Sequence, residues 1–204
     1  MPLKLLADAK QRLAPALNVQ ERQALVLAMA ADVLAALTGC EAFDQVLIVS
    51  RNKEADELAE RCGAAVFAEP ADAHLPGALR AGAAAAVAAG AATVSMIPAD
   101  VPAVTSAELL AAARSHCAIT IAPDARCEGT NLLMLSPPQL IAPIFDGRSF
   151  APHLRAATAV PAPTQVLRSP GLSLDIDTPD DLAALAKLPG APATRRALAA
   201  MGRG

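Results

Sequence analysis

An α/β fold, a single domain with a mainly parallel sheet flanked by helices, is what this sequence predicts, on three observations. Short apolar runs alternate with helical segments, the pattern of strands joined by crossover helices. The central runs are continuously apolar, as burial on both sheet faces requires. The length of 204 residues suits one core, and the 54% hydrophobic content supplies it.

The elements follow in order. Asn18-Val19-Gln20-Glu21 has the capping-box spacing and predicts a helix to about Thr38. Gln45 to Ser50 is a short apolar run, hence a strand, and Ala64 to Ala68 is a second. Between them Glu54 to Arg61 reads as a helix ended by Gly63. Pro76 and Gly77 lead into an Ala-rich helix that stops near Gly90, and Thr93 to Ile97 is a strand closed by Pro98. A second capping box, Thr105 to Glu108, starts a helix through about Arg114. Ala118 to Ala122, Asn131 to Leu135 and Leu172 to Ile176 complete the expected strands. Thr178, with Pro179 and Asp181 behind it, caps the next helix. The domain spans 1–204; residues 126–167, rich in Gly, Pro and loops, read as an insertion walling a pocket, and 189–204 as a loosely held tail. Lys4 arrives so early that no room is left for an opening strand.

Composition excludes several classes. Net charge is -3, so the basic footprint of a nucleic-acid binder is absent. With no Trp or Tyr and four Phe, the core must be aliphatic. The four cysteines, Cys40, Cys62, Cys117 and Cys127, form no CxxC pair, which argues against zinc. Charges at Lys4, Asp8, Lys10 and Arg12 interrupt any leader, so a cytoplasmic protein with reduced thiols is expected. The uncharged stretch from Ala81 to Ala99 is mostly alanine and is divided by Gly90, which disfavours a membrane span. Self-association into a homodimer remains open.

Ligands of open α/β sheets sit beyond the carboxyl ends of the strands. Polar residues just after apolar runs therefore carry the chemistry. Ile97-Pro98-Ala99-Asp100-Val101-Pro102 delivers a carboxylate to the sheet edge between two stiffening prolines, suited to a divalent cation or to capping the next turn. Leu174-Asp175-Ile176-Asp177 alternates two acids, so in a strand only one would face Asp100. Acids from separate strand ends suit Mg²⁺, which keeps waters and phosphate oxygens. Lys4, Lys10 and Arg12 gather three cations around one loop, suited to a triphosphate or to a solvated helix end. Thr130, Ser149 and the amides near Gly147 are donors for a phosphate or carboxylate, although Ser149 could equally cap a helix containing His153.

These pieces together resemble the 2-phospho-L-lactate or phosphoenolpyruvate guanylyltransferases of coenzyme F-420 biosynthesis. The resemblance runs through Pro2 to Lys4, Ala9 to Pro15 (AKQRLAP), Pro98 to Pro102, Ala122 to Asp124, Gly129 to Asn131 (GTN), Ser149-Phe150 with His153, and Asp175 to Leu182 (DIDTPDDL). It implies a nucleotidyltransferase fold, Rossmann-like and of the glycosyltransferase-A type. It implies transfer of GMP from GTP to a small phosphorylated carboxylic acid, with Mg²⁺ held by Asp100, Asp175 and Asp177. Asp100, Lys4 and Arg12 would be catalytic, and Lys4, Lys10, Arg12, Ser50, Gly77 and Asp100 would bind the nucleotide. Thr130, Asn131, Asp146, Gly147, Arg148 and Ser149 would bind the acceptor.

Two departures from the family pattern concern binding. Where the family has FGxGSF, this chain has Phe145-Asp146-Gly147-Arg148-Ser149-Phe150, so the acceptor pocket changes in charge and shape. Arg148 could fork onto an extra oxygen, which brings 3-phosphoglycerate into consideration beside phosphoenolpyruvate and 2-phospho-L-lactate. Where the family has LNxAL, Leu75-Pro76-Gly77-Ala78-Leu79 lacks the Asn near the base. The rival readings are a sister transferase using another nucleotide, of the molybdenum-cofactor or sugar-nucleotide type, an inactive nucleotide-binding relative, and a structural module.

Overall fold

The structure is a computed structural model that describes residues 1–4, 10–71 and 73–203. Asp8 of the charged start, Ala9 of the AKQRLAP motif and Gly204 of the tail lie outside the described residues. A single 3₁₀ turn, Gln11–Leu13, precedes helix α1 (Val19–Thr38). Then come β1 (Leu47–Val49), α2 (Lys53–Cys62), β2 (Ala65–Phe67), α3 (Leu75–Ala88), β3 (Val94–Met96) and α4 (Ser106–Ser115). Strands β4 (Ile119–Pro123) and β5 (Thr130–Leu135) follow, then α5 (Phe150–Thr158) and β6 (Thr164–Val166). Helices α6 (Pro170–Ser173), α7 (Pro179–Leu185) and α8 (Pro192–Ala200) end the chain.

The helix starts are those the sequence encodes. The Asn18/Glu21, Thr105/Glu108 and Thr178/Asp181 capping boxes all close reciprocally, satisfying amide donors that a helix start leaves free. Gly63 ends α2 at φ 69°, a left-handed position that costs glycine little.

The strands form two sheets. β1 pairs with β2 in parallel. The second sheet has the order β3-β5-β4-β6. Its β4–β6 pair is parallel, whereas β5 runs antiparallel to both β3 and β4. Three of its four strands thus share a direction and β5 alone reverses. A cavity of about 580 Å³ opens between the sheets, lined by Met1, Leu47 and Val49 on one side and Val94, Met96 and Met134 on the other.

Burial on both faces is visible along β4 and β5. Ile119, Ile121, Leu133 and Leu135 pack with Leu79 and Ala157 in one cluster. Ala122, Leu132 and Met134, their neighbours in sequence, join a second cluster with Leu25, Met29 and Leu34 of α1. Side chains that alternate across a strand therefore feed two cores, which explains why the runs read as continuously apolar.

Three expectations are corrected. First, residues 172–176 are not a strand: Leu172 ends up in the short helix α6, and residues 174–177 are irregular. Pro170 starts a helical turn there, and Gly171 is wedged against Glu108, whose carboxylate accepts the Gly171 amide at 2.8 Å. The last strand is instead β6, short and half-exposed, with no apolar run to announce it. Second, an opening strand exists in abbreviated form. Leu3 donates its amide to the Val49 carbonyl (3.0 Å), Val49 donates to Met1 (2.8 Å), and Pro2 bridges Val49 in parallel. Third, the tail is pinned rather than loose. Asp32 of α1 accepts the amides of Ala193 and Thr194 (2.9 and 2.8 Å) and the Thr194 hydroxyl (2.7 Å), fixing the start of α8.

Candidate active site

Asp100 follows β3, and its backbone carbonyl accepts the Ile176 amide at 2.9 Å. That bond brings the Asp175–Asp177 segment beside Asp100. Glu108, which caps α4 at Thr105, also grips Gly171 and so fixes α6 just ahead of that segment.

Lys10 joins the two acids. Its Nζ donates to Asp100 Oδ2 at 2.6 Å and to Asp177 Oδ1 at 2.7 Å. Its backbone is left-handed, at φ 54° and ψ 45°, which a side chain with a Cβ adopts only when held there. Arg12 lies 3.9 Å from Asp177 Oδ2 on the exposed side.

The charges are strongly coupled. Burial works against the Lys10 ammonium, yet the carboxylates of Asp100 and Asp177 outweigh it and hold the pKa above the ordinary lysine value. Burial likewise disfavours charged Asp177, but Lys10, Arg12 and Arg126 hold its pKa below the ordinary value. Asp175 goes the other way, raised first by burial and then by the charge of Asp100. Its Oδ1 is 3.5 Å from Asn131 Nδ2, which also donates to the Leu172 carbonyl at 2.8 Å.

A second cluster forms where β4 and β5 lose register at Ala122 and Pro123. Asp124 accepts the amides of Glu128 and Gly129, both at 2.9 Å, closing the turn that presents Thr130. The Ile144 amide donates to His153 Nε2 at 2.9 Å, so that nitrogen is an acceptor and Nδ1 carries the proton of the neutral ring. Nδ1 then donates to Thr130 Oγ1, 2.9 Å away. Burial pushes the His153 pKa down to about 4. Ser149 is buried just ahead of α5, and among the described residues its hydroxyl has no hydrogen-bond partner. Asp146 accepts the Arg148 amide at 3.0 Å, folding the exposed Asp146-Gly147-Arg148 turn, with Gly147 at φ 86°.

The expected residues thus divide. Lys10, Arg12, Asp100 and Asp177 come together, with Asn131 and Asp175 alongside. Lys4 does not join them: its ammonium donates to the Ala73 carbonyl and sits 3.2 Å from Glu69 Oε2, an ion-pair contact rather than a directed hydrogen bond. The Ser50 hydroxyl donates to the Leu3 carbonyl at 2.7 Å and accepts the Asn52 amide, so it braces the loop that carries Lys4. Gly77 lies in the first turn of α3, where an added Cβ would meet only ordinary contacts. Among the described residues no group of three His, Cys, Asp or Glu side chains is drawn close enough to hold a metal, so the expected trio of acids acts here as a pair plus Asp175. Arg126, Glu69 and the second role of Glu108, its grip on Gly171, were not anticipated. Each acts on a residue distant in sequence, and the capping box that marks Glu108 announces only its local role.

The 580 Å³ cavity between the sheets is not this site, since its lining includes neither Asp100 nor Asp177. The acids instead are partly open to solvent, Asp100 29% and Asp177 35% exposed.

Comparison with known proteins identifies the family. The chain is 40% identical over 188 residues to the phosphoenolpyruvate guanylyltransferase of Sphaerobacter thermophilus, covering 91% of this chain and 90% of that protein. It is 37% identical to the phosphoenolpyruvate guanylyltransferase of Conexibacter woesei, over 100% of this chain and 92% of the relative. The fold is shared with a crystal structure described as a nucleotide-diphospho-sugar transferase from Desulfovibrio desulfuricans G20, at a TM-score of 0.71 and 16% identity, covering 94% and 89% of the two chains. A family model described as "Guanylyl transferase CofC like" matches residues 1–194, and the chain belongs to that family.

Proposed function

We propose that this protein transfers GMP from GTP to phosphoenolpyruvate, releasing pyrophosphate, as a step of coenzyme F-420 biosynthesis. The observation that carries the reading is the convergence of Asp100 and Asp177, from two separate segments, on one cation at 2.6 and 2.7 Å. A point that already holds a positive charge between two oxygen donors fits Mg²⁺, and Asp175 lies beside it, its pKa raised by burial and by Asp100. Asp100 and Asp177 would hold the ion, with Asp175 within its field. When bound, Mg²⁺ would supply neutralisation of charge on the triphosphate.

The chain's own residues do the rest. Lys10 and Arg12, and Lys4 once released from Glu69, offer positive charge to the triphosphate and the departing pyrophosphate. Gly77, bare at the start of α3, leaves space for the base. The acceptor lies against Thr130, Asn131, the Asp146-Gly147-Arg148 turn and Ser149. Ser149 supplies a buried hydroxyl that lacks a partner among the described residues, and Thr130, accepting from His153, keeps its own proton to donate. Such a pocket suits the phosphate and carboxylate of a small acid.

The reaction is in-line: an acceptor phosphate oxygen forms a bond to the α-phosphorus of GTP as the α–β oxygen bond breaks. The product is a diphosphate-linked guanosine adduct. A phosphate near neutral pH is already ionised, so no general base is required. His153 agrees, with both ring nitrogens engaged and its pKa near 4. The test is ³¹P NMR of GTP, Mg²⁺ and phosphoenolpyruvate with the enzyme. Pyrophosphate with a new diphosphate pair supports the reading; pyrophosphate with free GMP refutes transfer.

A further inference from the structure

We propose that Lys10 is a resident counter-cation, holding Asp100 and Asp177 together in the unliganded protein, and that a divalent cation takes this acid pair by displacing it. The proposal rests on the reading of Asp100 and Asp177 as metal ligands. Both oxygens that would face the metal are within 2.7 Å of Lys10 Nζ, so the ammonium and an ion coordinated there exclude one another. Without a positive charge at that point the two carboxylates, with Asp175 nearby, would repel across a short gap. Lys10 removes the repulsion without a metal.

The lysine is also built to leave. It is held in a left-handed backbone conformation at the start of the 3₁₀ turn, disfavoured for any residue with a Cβ. Its flexible stem ends in a compact charge with three rotatable donors, so the head can turn to a new anion without the turn unfolding. Arg12, 3.9 Å from Asp177 Oδ2 and mostly exposed, and the charge of Arg126 still act on Asp177 after the exchange. The displaced ammonium lies next to the triphosphate position and moves from carboxylates to phosphate oxygens. Metal binding and nucleotide binding are thereby coupled through one side chain.

Mn²⁺ serves as the probe, its free concentration read by EPR during titration of the full chain without nucleotide. The expected result is that Lys10→Met binds Mn²⁺ about 10-fold more tightly than the unaltered protein, within the usual range of site-to-site coupling, while its affinity for GTP falls. Lys10→Arg, which keeps the charge, should bind Mn²⁺ as weakly as the unaltered protein. Thermal melting gives a second measure: Lys10→Met should gain more from Mg²⁺ than the unaltered protein does. Equal or weaker Mn²⁺ binding by Lys10→Met, with binding still lost in Asp100→Asn, would overturn the counter-cation role and leave the metal reading intact. No Mn²⁺ binding to either protein at millimolar concentration would overturn the metal reading and the proposal together.

Discussion

The amide of Ile176 donates to the carbonyl of Asp100 at 2.9 Å, and this bond sets the two acidic segments side by side. Ile176 is fully buried, so the bond forms away from water and the segment cannot drift. Asp175 and Asp177 flank it and stay at the surface end of the site. A core residue thus fixes the spacing of the acids.

Asp100→Asn keeps the shape of the side chain and removes its charge. Turnover should fall about 10²-fold or more, the size seen when a group stabilising developing charge is lost. The variant should still fold, because the Ile176 bond uses the backbone, with a lower melting temperature as Lys10 keeps only Asp177. Steady-state pyrophosphate release beside a thermal melt checks both halves. A folded variant with full activity would contradict the role of Asp100.

Gly171→Ala tests the support behind the acids. A Cβ there would lie 2.5 Å from the Ala103 carbonyl oxygen and 2.8 Å from Val104 Cα, both backbone atoms that cannot swing aside. Overpacking of this kind costs about 1–3 kcal/mol. A lowered denaturation midpoint should come with reduced activity, since Gly171 and Glu108 fix α6 just ahead of the segment that carries Asp175.

His153 gives a pH signature. Its pKa is lowered from 6.5 to about 4 in the folded protein, so the folded state favours the neutral ring. The associated stability is complete above pH 6.5 and is lost as pH falls through that window toward 4. Urea midpoints measured across this range should decline toward acid. His153→Gln should flatten that decline while lowering stability at neutral pH.

Asp32→Ala should release α8 without touching the site. Three hydrogen bonds to the start of that helix would be lost, at a cost of about 2 kcal/mol, or roughly 4–8 °C in Tm for a chain of this size. The KM values for GTP and the acid should stay near those of the unaltered protein.

The legible parts of this molecule were those written in local signals. Three capping boxes, Gly63 and the apolar runs of β1, β3, β4 and β5 announced themselves within a few residues. Asp100 was legible because strand ends carry ligands in this architecture; Asp177 does meet it, but from an irregular segment rather than from the strand end that its sequence suggests. Contacts between distant segments were not legible. Glu108 reads as a helix cap and also grips Gly171, and nothing in the sequence marks Asp32, which caps α8. Lys4 reads as a phosphate ligand yet rests against Glu69 and Ala73, and Ser50 braces the chain beside it. The segment at 172–176 misled because its apolar alternation mimics a strand, while Pro170 and the tight fit of Gly171 impose a helical turn. β6 was missed for the converse reason, being three residues long with little apolar content.

The most direct test of guanylyl transfer is pyrophosphate release with Mg²⁺, each nucleoside triphosphate being paired in turn with phosphoenolpyruvate, 2-phospho-L-lactate and 3-phosphoglycerate. Release with GTP and phosphoenolpyruvate should stand well above every other pairing and be lost in Asp100→Asn. Release driven by another nucleotide, or silence in every pairing from a folded chain, would contradict guanylyl transfer.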